Sequence, residues 1–149
     1  MRRNILAGIL FAIAAVSAGA QSPTSDTDLQ REVIGKLSGE REIRPGVTLT
    51  NRSTIENRQE ARTYLSAVLT SVGLEPKRQP YGAGGGENVY AVLSSGQPSA
   101  ETVVLGAHYD SVLRAPGAND DASGVAAVLA VARAMTRVAQ RSRDLIVAA

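Results

Sequence analysis

Residues 102–149 read TVVLGAHYDSVLRAPGANDDASGVAAVLAVARAMTRVAQRSRDLIVAA, and they carry the pattern of a strand, a loop, a helix and a second strand. Residues 102–107 form a short apolar, β-branched run, typical of a strand buried on both faces. Residues 122–138 place apolar side chains on one helical face, and residues 144–149 are again apolar. This order predicts a βαβ unit with parallel strands and a right-handed crossover.

Two helices are predicted upstream of this unit. Residues 28–37 have apolar side chains at helical spacing, and Gly39 follows as a stop signal. A second, stronger helix is predicted to begin at Ser53, because Ser53 and Glu56 have the spacing of a capping box. Its apolar residues recur every three or four positions up to a terminating glycine at position 73.

Two strands are predicted between the second helix and the βαβ unit, at residues 77–81 and 88–94. The glycine-rich residues 82–86 lie between them. A phosphate-binding P-loop requires Lys followed by Ser or Thr after its last glycine, whereas Glu87 and Asn88 stand there. The glycines are therefore interpreted as a hairpin connection, and residues 40–52 as a polar connection between the helices.

These elements predict an α/β fold that is part of a doubly wound, mainly parallel sheet with flanking helices. The sequence ends inside its last predicted strand, which would leave an unpaired apolar edge. We therefore expect a fold truncated at its C-terminus, the N-terminal part of a longer protein. The alternative is a small complete domain.

The first twenty residues have the pattern of a secretory signal peptide. Arg2 and Arg3 precede an uncharged, mostly apolar run over residues 5–16, and Ala18-Gly19-Ala20 is a small-residue cleavage site. A membrane anchor is the alternative, but a spanning helix needs about 20 apolar residues. We expect cleavage after Ala20 and a secreted or periplasmic protein.

The expected organisation is thus a signal peptide at 1–20, an N-terminal segment at 21–52 and the α/β domain at 53–149. Composition excludes several classes of function. Aromatic residues make up only 3% of the chain and the 16 basic residues are scattered, so we expect no nucleic-acid partner. The chain has no Cys, which excludes disulfides, thiolate zinc sites and a lipid-anchored Cys within it.

The residues that can carry chemistry follow the strand at 102–107. His108, the single His of the chain, and Asp110 come directly after this strand, where open α/β sheets bind ligands. Imidazole is a good zinc ligand, and its second ring nitrogen usually donates to a carboxylate. Asp120 and Asp121 precede the last helix, whose free N–H groups favour negative charge. One of these carboxylates would cap the helix while the other faces a metal.

Each feature also has a purely structural interpretation. A lone His after a strand is often a hydrogen-bonded structural residue, and two Asp residues before a helix are often caps. Their combination in one segment, separated by a Pro-Gly loop, favours a functional site.

This segment carries a resemblance. GAHYDS at residues 106–111, followed by APGANDDASGVAAVLAVARAM at 115–135, is similar to the secreted zinc aminopeptidases of the aminopeptidase S and aminopeptidase Y type. The match is dense over residues 102–138. In that family two zinc ions lie on a doubly wound α/β domain, and single residues are released from the N-terminus of peptides.

The resemblance implies a role for each matching residue. His108 would bind one zinc ion, Asp120 would bridge both, and Asp110 would act in catalysis by orienting His108. Asp121 and Asn119 would shape the loop and cap the helix. Peptides are the implied substrates, and no membrane partner is expected once the signal peptide is removed.

The sequence also departs from the family pattern. The Glu-Glu pair that supplies the general base and a zinc ligand, a later acidic ligand and a second His are absent from residues 1–149. We therefore expect the chain as given to hold neither metal and to be inactive. The alternatives are a glutaminyl cyclase with one zinc, a carboxypeptidase-like relative, and a non-catalytic binding domain of the same fold.

Overall fold

The computed structural model describes residues 25–82, 84–98 and 101–149. The signal peptide expected at residues 1–20 lies outside the described residues. The elements follow in the order α1 (Asp26–Leu37), α2 (Ile55–Ser71), β1 (Lys77–Tyr81), β2 (Gly86–Leu93), β3 (Thr102–Gly106), α3 (Ser123–Thr136) and β4 (Asp144–Ala148). Each predicted helix and strand is present, with ends shifted by a few residues. Within the described residues, no helix is both long enough and apolar enough to span a bilayer.

The four strands form one sheet in the order β1-β2-β4-β3. β3 and β4 pair in parallel with α3 between them in sequence, as the βαβ pattern predicts. β1 pairs with β2 and β2 pairs with β4 in antiparallel fashion. The α/β class is confirmed, but among the described strands one pairing of three is parallel, so the expected excess of parallel pairing is not seen here.

β3 differs from its prediction as a strand buried on both faces. Val103 and Val104 are 47% and 65% exposed, and Gly106 is exposed as well. The reason is the position of β3 at the end of the described sheet, where β4 is its neighbour on one side. β4 instead alternates, with Leu145 and Val147 buried.

The start of α2 also differs from its prediction. The sequence predicts Ser53 as the N-cap, whereas the structure has Thr54 there, whose side chain accepts a hydrogen bond from Asn57 N. The cause is Asn51, because its Oδ1 accepts hydrogen bonds from both the N and the Oγ of Ser53. The hydroxyl of Ser53 is thereby committed to a turn, and the cap moves one residue along.

The core lies between the sheet and the helices, and it includes buried side chains from residues 25–52. α1 packs on α3, and Arg133 donates to Asp26 Oδ1 at 2.6 Å. Buried apolar side chains come from all three helices, the sheet and the connection after α1, and include Leu29, Val33, Leu37, Ile43, Leu49, Ala61, Leu65, Val89, Val125, Leu129 and Val147. Residues 25–52 thus pack on the rest of the chain, and this packing sets the position of the loop after β3.

Candidate functional site

The predicted site residues meet at the carboxyl end of β3. His108 and Asp110 follow Gly106, the last residue of the strand, and β4 ends at the same edge because the two strands are parallel. A cavity of about 250 Å³ opens at this edge, and its lining includes His108, Asp110 and Ala149. This is the position at which open α/β sheets bind ligands.

The structure brings His108, Asp110 and Asp120 together. His108 Nδ1 lies 3.0 Å from Asp110 Oδ1, and His108 Nε2 lies 2.9 Å from Asp120 Oδ1. The three side chains are 55%, 59% and 85% exposed, in that order, so the cluster is open to solvent. One ring nitrogen is thus held by the carboxylate two residues away, and the other faces the carboxylate across the loop.

The electrostatics of the cluster favour the protonated ring in the absence of a metal. Partial burial lowers the pKa of His108, but the hydrogen bonds and charges of Asp110 and Asp120 outweigh it, so the pKa is raised above its usual value. In this state the imidazolium donates a hydrogen bond from each nitrogen to a carboxylate.

The two adjacent Asp residues have different partners. Asp120 faces His108, whereas Asp121 Oδ1 accepts a hydrogen bond from Gly124 N in the first turn of α3. The peptide bond between Asp120 and Asp121 is cis, and both residues have non-helical dihedral angles. The structure therefore has the division that the sequence predicts, with one carboxylate at the helix and the other at the imidazole. Asn119 contributes its carbonyl oxygen, which accepts from Ser123 Oγ.

The buried side chain of Arg52 binds the loop between β3 and α3, a contact that the sequence alone does not predict. Its side chain is 0% exposed, and its guanidinium donates to Tyr109 O and to the carbonyl oxygens of Pro116 and Gly117. Burial lowers the pKa of Arg52, while Asp110 and Asp120 act in the opposite direction. An Arg within a polar connection carries no sequence signal of burial, so only the structure could reveal it.

A second buried network lies under Tyr109, a residue with no role in the sequence analysis. Tyr109 is 4% exposed, and its hydroxyl donates to Glu87 O at 2.8 Å and accepts from Arg62 Nη1 at 3.1 Å. Arg62 also forms an ion pair with Glu87 Oε2 at 3.0 Å. The network fixes the residue between His108 and Asp110, and it joins the loop to α2 and β2.

The donor atoms of this cluster suit zinc, although they do not complete a site. An imidazole nitrogen and a carboxylate oxygen are both common zinc ligands, and two ligands of one tetrahedral zinc lie roughly 3.3 Å apart. His108 Nε2 and Asp120 Oδ1 would need to separate by only a few tenths of an ångström from their 2.9 Å contact. Within the described ranges, no group of three or more His, Cys, Asp or Glu side chains is arranged to hold a metal ion.

Comparison with known proteins agrees with this geometry. Residues 88–149 match the sequence profile of peptidase family M28. The matched residues include most of β2 together with β3, the loop with His108 and Asp120, α3 and β4. The resemblance to zinc aminopeptidases seen in the sequence is thereby confirmed at the level of the family.

Two curated relatives of this chain are aminopeptidases by name, and a third is uncharacterized. The chain is 50% identical over 50 residues to the probable leucine aminopeptidase 2 of Aspergillus fumigatus, which covers 34% of this chain and 10% of that protein. It is 48% identical over 63 residues to the probable lipoprotein aminopeptidase LpqL of Mycobacterium tuberculosis, covering 42% and 12%. The uncharacterized protein YfbL of Escherichia coli is 33% identical over 87 residues, covering 53% and 27%. The matches thus span about a tenth to a quarter of the relatives' length.

Solved structures share the fold. The LapA aminopeptidase of Legionella pneumophila superposes with a TM-score of 0.67 at 18% identity, covering 80% of this chain and 33% of that one. The glutaminyl cyclase of Porphyromonas gingivalis superposes with a TM-score of 0.56 at 20% identity, covering 81% and 43%. At these identities the likeness shows the fold alone, and the fold is common to both activities.

Proposed function

We propose that this protein is a metal-dependent exopeptidase that removes N-terminal amino acids from peptides, with zinc as the metal. The observation that carries the proposal is the position of His108 between Asp110 and Asp120 at the carboxyl end of β3. The family of residues 88–149 and the aminopeptidase names of its relatives support it.

His108 and Asp120 are the residues that would hold the metal. With a metal bound, Asp110 would accept the hydrogen bond of the protonated Nδ1 of His108, and the deprotonated Nε2 would be free to bind the ion beside Asp120. The Asp120 side chain is 85% exposed, and the resemblance implies that Asp120 would hold both ions of a zinc pair. Zinc bound here would act as a Lewis acid on the scissile carbonyl and on the attacking water.

Asp121 and the cavity are two further features of the chain that would support the proposed reaction. Because Asp121 binds the amide of Gly124, the neighbouring Asp120 is anchored to the first turn of α3 and its carboxylate is kept beside His108. The cavity beside His108 and Asp110 opens to solvent and is the place where a peptide end would bind. The general base is not assigned among residues 1–149.

We also propose that the protein acts outside the cytoplasm. The support is the signal-peptide pattern of residues 1–20 and the similarity to a probable lipoprotein aminopeptidase. Residues 1–149 contain no Cys, so the chain offers no thiol in this range for a lipid anchor. We expect export with cleavage behind Ala20.

The test is product analysis with the protein expressed from its complete reading frame. Peptides with free and with blocked amino termini are incubated with and without a zinc chelator, and the products are identified by mass spectrometry. We expect chelator-sensitive loss of single residues from free amino termini only. Shortening from the carboxyl end, or pyroglutamate formed from an N-terminal Gln, would replace this proposal by one of its alternatives.

A further inference from the structure

Arg52 is a fully buried cation with an unusual set of partners. Within the described residues its guanidinium makes four hydrogen bonds, and all four go to backbone carbonyl oxygens. Burying a charge costs several kcal/mol unless close partners compensate it. An apolar side chain of the same size would fill the space without that cost, so packing alone does not explain an Arg at this position.

The four carbonyl groups belong to three separate segments. Leu37 ends α1, Tyr109 lies between His108 and Asp110, and Pro116 with Gly117 forms the turn three residues before Asp120. The guanidinium therefore ties the strand side of the loop to its helix side and anchors both to α1. One planar fork with five N–H donors is suited to several acceptors at once, whereas the compact ammonium of Lys is not.

The backbone of Arg52 and the turn at Gly117 strengthen the same connection. Arg52 N donates to Ser111 Oγ at 2.8 Å, and Ser111 Oγ donates to Ala115 O at 3.1 Å. Gly117 has a φ of +64°, and a Cβ there would lie 2.6 Å from Arg52 Nη2. The backbone at Gly117 thus lies so close to the guanidinium that a side chain at this position would collide with it.

We propose that Arg52 is the positioning residue of the metal centre: by holding Tyr109, Pro116 and Gly117 it sets the separation between His108 and Asp120. The inference rests on the proposed function for the presence of a metal. The contacts between Arg52 and the loop do not depend on that function. Arg52 is too deeply buried to touch a substrate, and it acts through the carbonyl groups of the loop.

The experiment compares Arg52→Leu with Arg133→Leu. Arg133 is also buried, at 9% exposure, and pairs with Asp26, but it lies about 15 Å along α3 from its first residue. Both variants are expected to lose global stability. Zinc affinity is measured by chelator competition in the protein from the complete reading frame. We expect Arg52→Leu to weaken it about 10- to 100-fold, the range found for residues that orient metal ligands, and Arg133→Leu to change it by less than about twofold.

A second readout needs no metal. Ala122 N donates to Gly117 O at 3.1 Å. In the protein from its complete reading frame, freed of metal with a chelator, amide hydrogen exchange at Ala122 reports the loop, while the amide of Leu65 reports the core. Arg52→Leu should accelerate exchange at Ala122 at least about tenfold more than at Leu65. Arg133→Leu should accelerate both by the same factor.

The outcomes separate the two proposals. If the wild-type protein binds no zinc, the proposed function fails, and exchange at Ala122 still decides the role of Arg52. Equal acceleration at Ala122 and Leu65, or unchanged zinc affinity in Arg52→Leu, would overturn the positioning role. If Arg52→Leu does not fold, Arg52→Lys and Gly117→Ala take its place, because each disturbs the same contact and both should show the loop-specific effect.

Discussion

His108 Nε2 and Asp120 Oδ1 lie 2.9 Å apart, although twelve positions separate the two residues in the chain. The loop between them turns back at Pro116 and Gly117, whose carbonyl groups are bound by the buried Arg52. The contact between the exposed imidazole and the exposed carboxylate therefore depends on a buried side chain that holds the loop.

The pKa of His108 is expected to lie above 6.5 in the metal-free chain. Because the chain has a single His, one ring signal in an NMR pH titration reports it. The folded chain holds this proton more tightly than the unfolded chain, so the stability it contributes is present below about pH 6.5 and is lost as pH rises through the raised pKa. Asp110→Asn should lower the pKa and Asp121→Asn should leave it unchanged. A wild-type value at or below 6.5 would refute the contact.

Gly39 is expected to be far less tolerant of a side chain than Gly46. Both have a φ of +77°, but a Cβ on Gly39 would overlap the carbonyl oxygen of Leu49, whereas a Cβ on Gly46 meets no atom within 4 Å. Gly46→Ala should cost about 1–2 kcal/mol from the backbone conformation. Gly39→Ala should cost about 3–5 kcal/mol, because steric overlap adds to that cost. Urea denaturation measures both, and equal losses would show that the turn after α1 is more open than described.

Removing the hydroxyl of Tyr109 is expected to destabilise the fold. Tyr109→Phe leaves Arg62 Nη1 and Glu87 O without this partner in a buried network, at a cost of about 1–3 kcal/mol. Tyr81→Phe is the control, since Tyr81 is 55% exposed and should change stability by less than about 0.5 kcal/mol. Thermal unfolding of the two variants decides the point, and no difference between them would argue against the network.

The hydroxyl of Thr54, which caps α2, is expected to contribute more to stability than the hydroxyl of Ser53. Thr54→Ala should cost about 0.5–2 kcal/mol, because Asn57 N loses its side-chain acceptor. Ser53→Ala should cost less, since the backbone N of Ser53 still donates to Asn51 Oδ1. Chemical denaturation of the two variants compares them directly. A larger loss for Ser53→Ala would restore the cap that the sequence alone predicts.

Much of the fold follows from local patterns in the sequence. The βαβ unit can be predicted because residues 102–149 combine a β-branched run, a helical apolar face and a second apolar run. The sequence alone does not predict how far β3 is buried or how the remaining strands pair, because both depend on the order of the strands in the sheet. The cap shifted from Ser53 to Thr54 because Asn51 competes for Ser53, a side-chain interaction that a spacing rule does not include.

The candidate site divides in the same way. His108, Asp110 and Asp120 were visible because they follow a strand or precede a helix within one short segment. Arg52 was not, since it lies 57 to 65 positions from the carbonyl groups it binds on the loop, in a connection with no periodic pattern. Contacts of this range arise from packing, which a single sequence does not reveal.

We propose above that His108 and Asp120 hold a catalytic metal. The most direct test of this proposal is the zinc content and the aminopeptidase kcat/KM of the protein from its complete reading frame, in Asp120→Asn and in Asp121→Asn. The two variants make the same change in charge at adjacent positions, but only Asp120 faces His108. We expect Asp120→Asn to lose zinc and to lower kcat/KM at least about 100-fold, while Asp121→Asn keeps its zinc and stays within about tenfold of wild type. Full zinc content and activity in Asp120→Asn would contradict it.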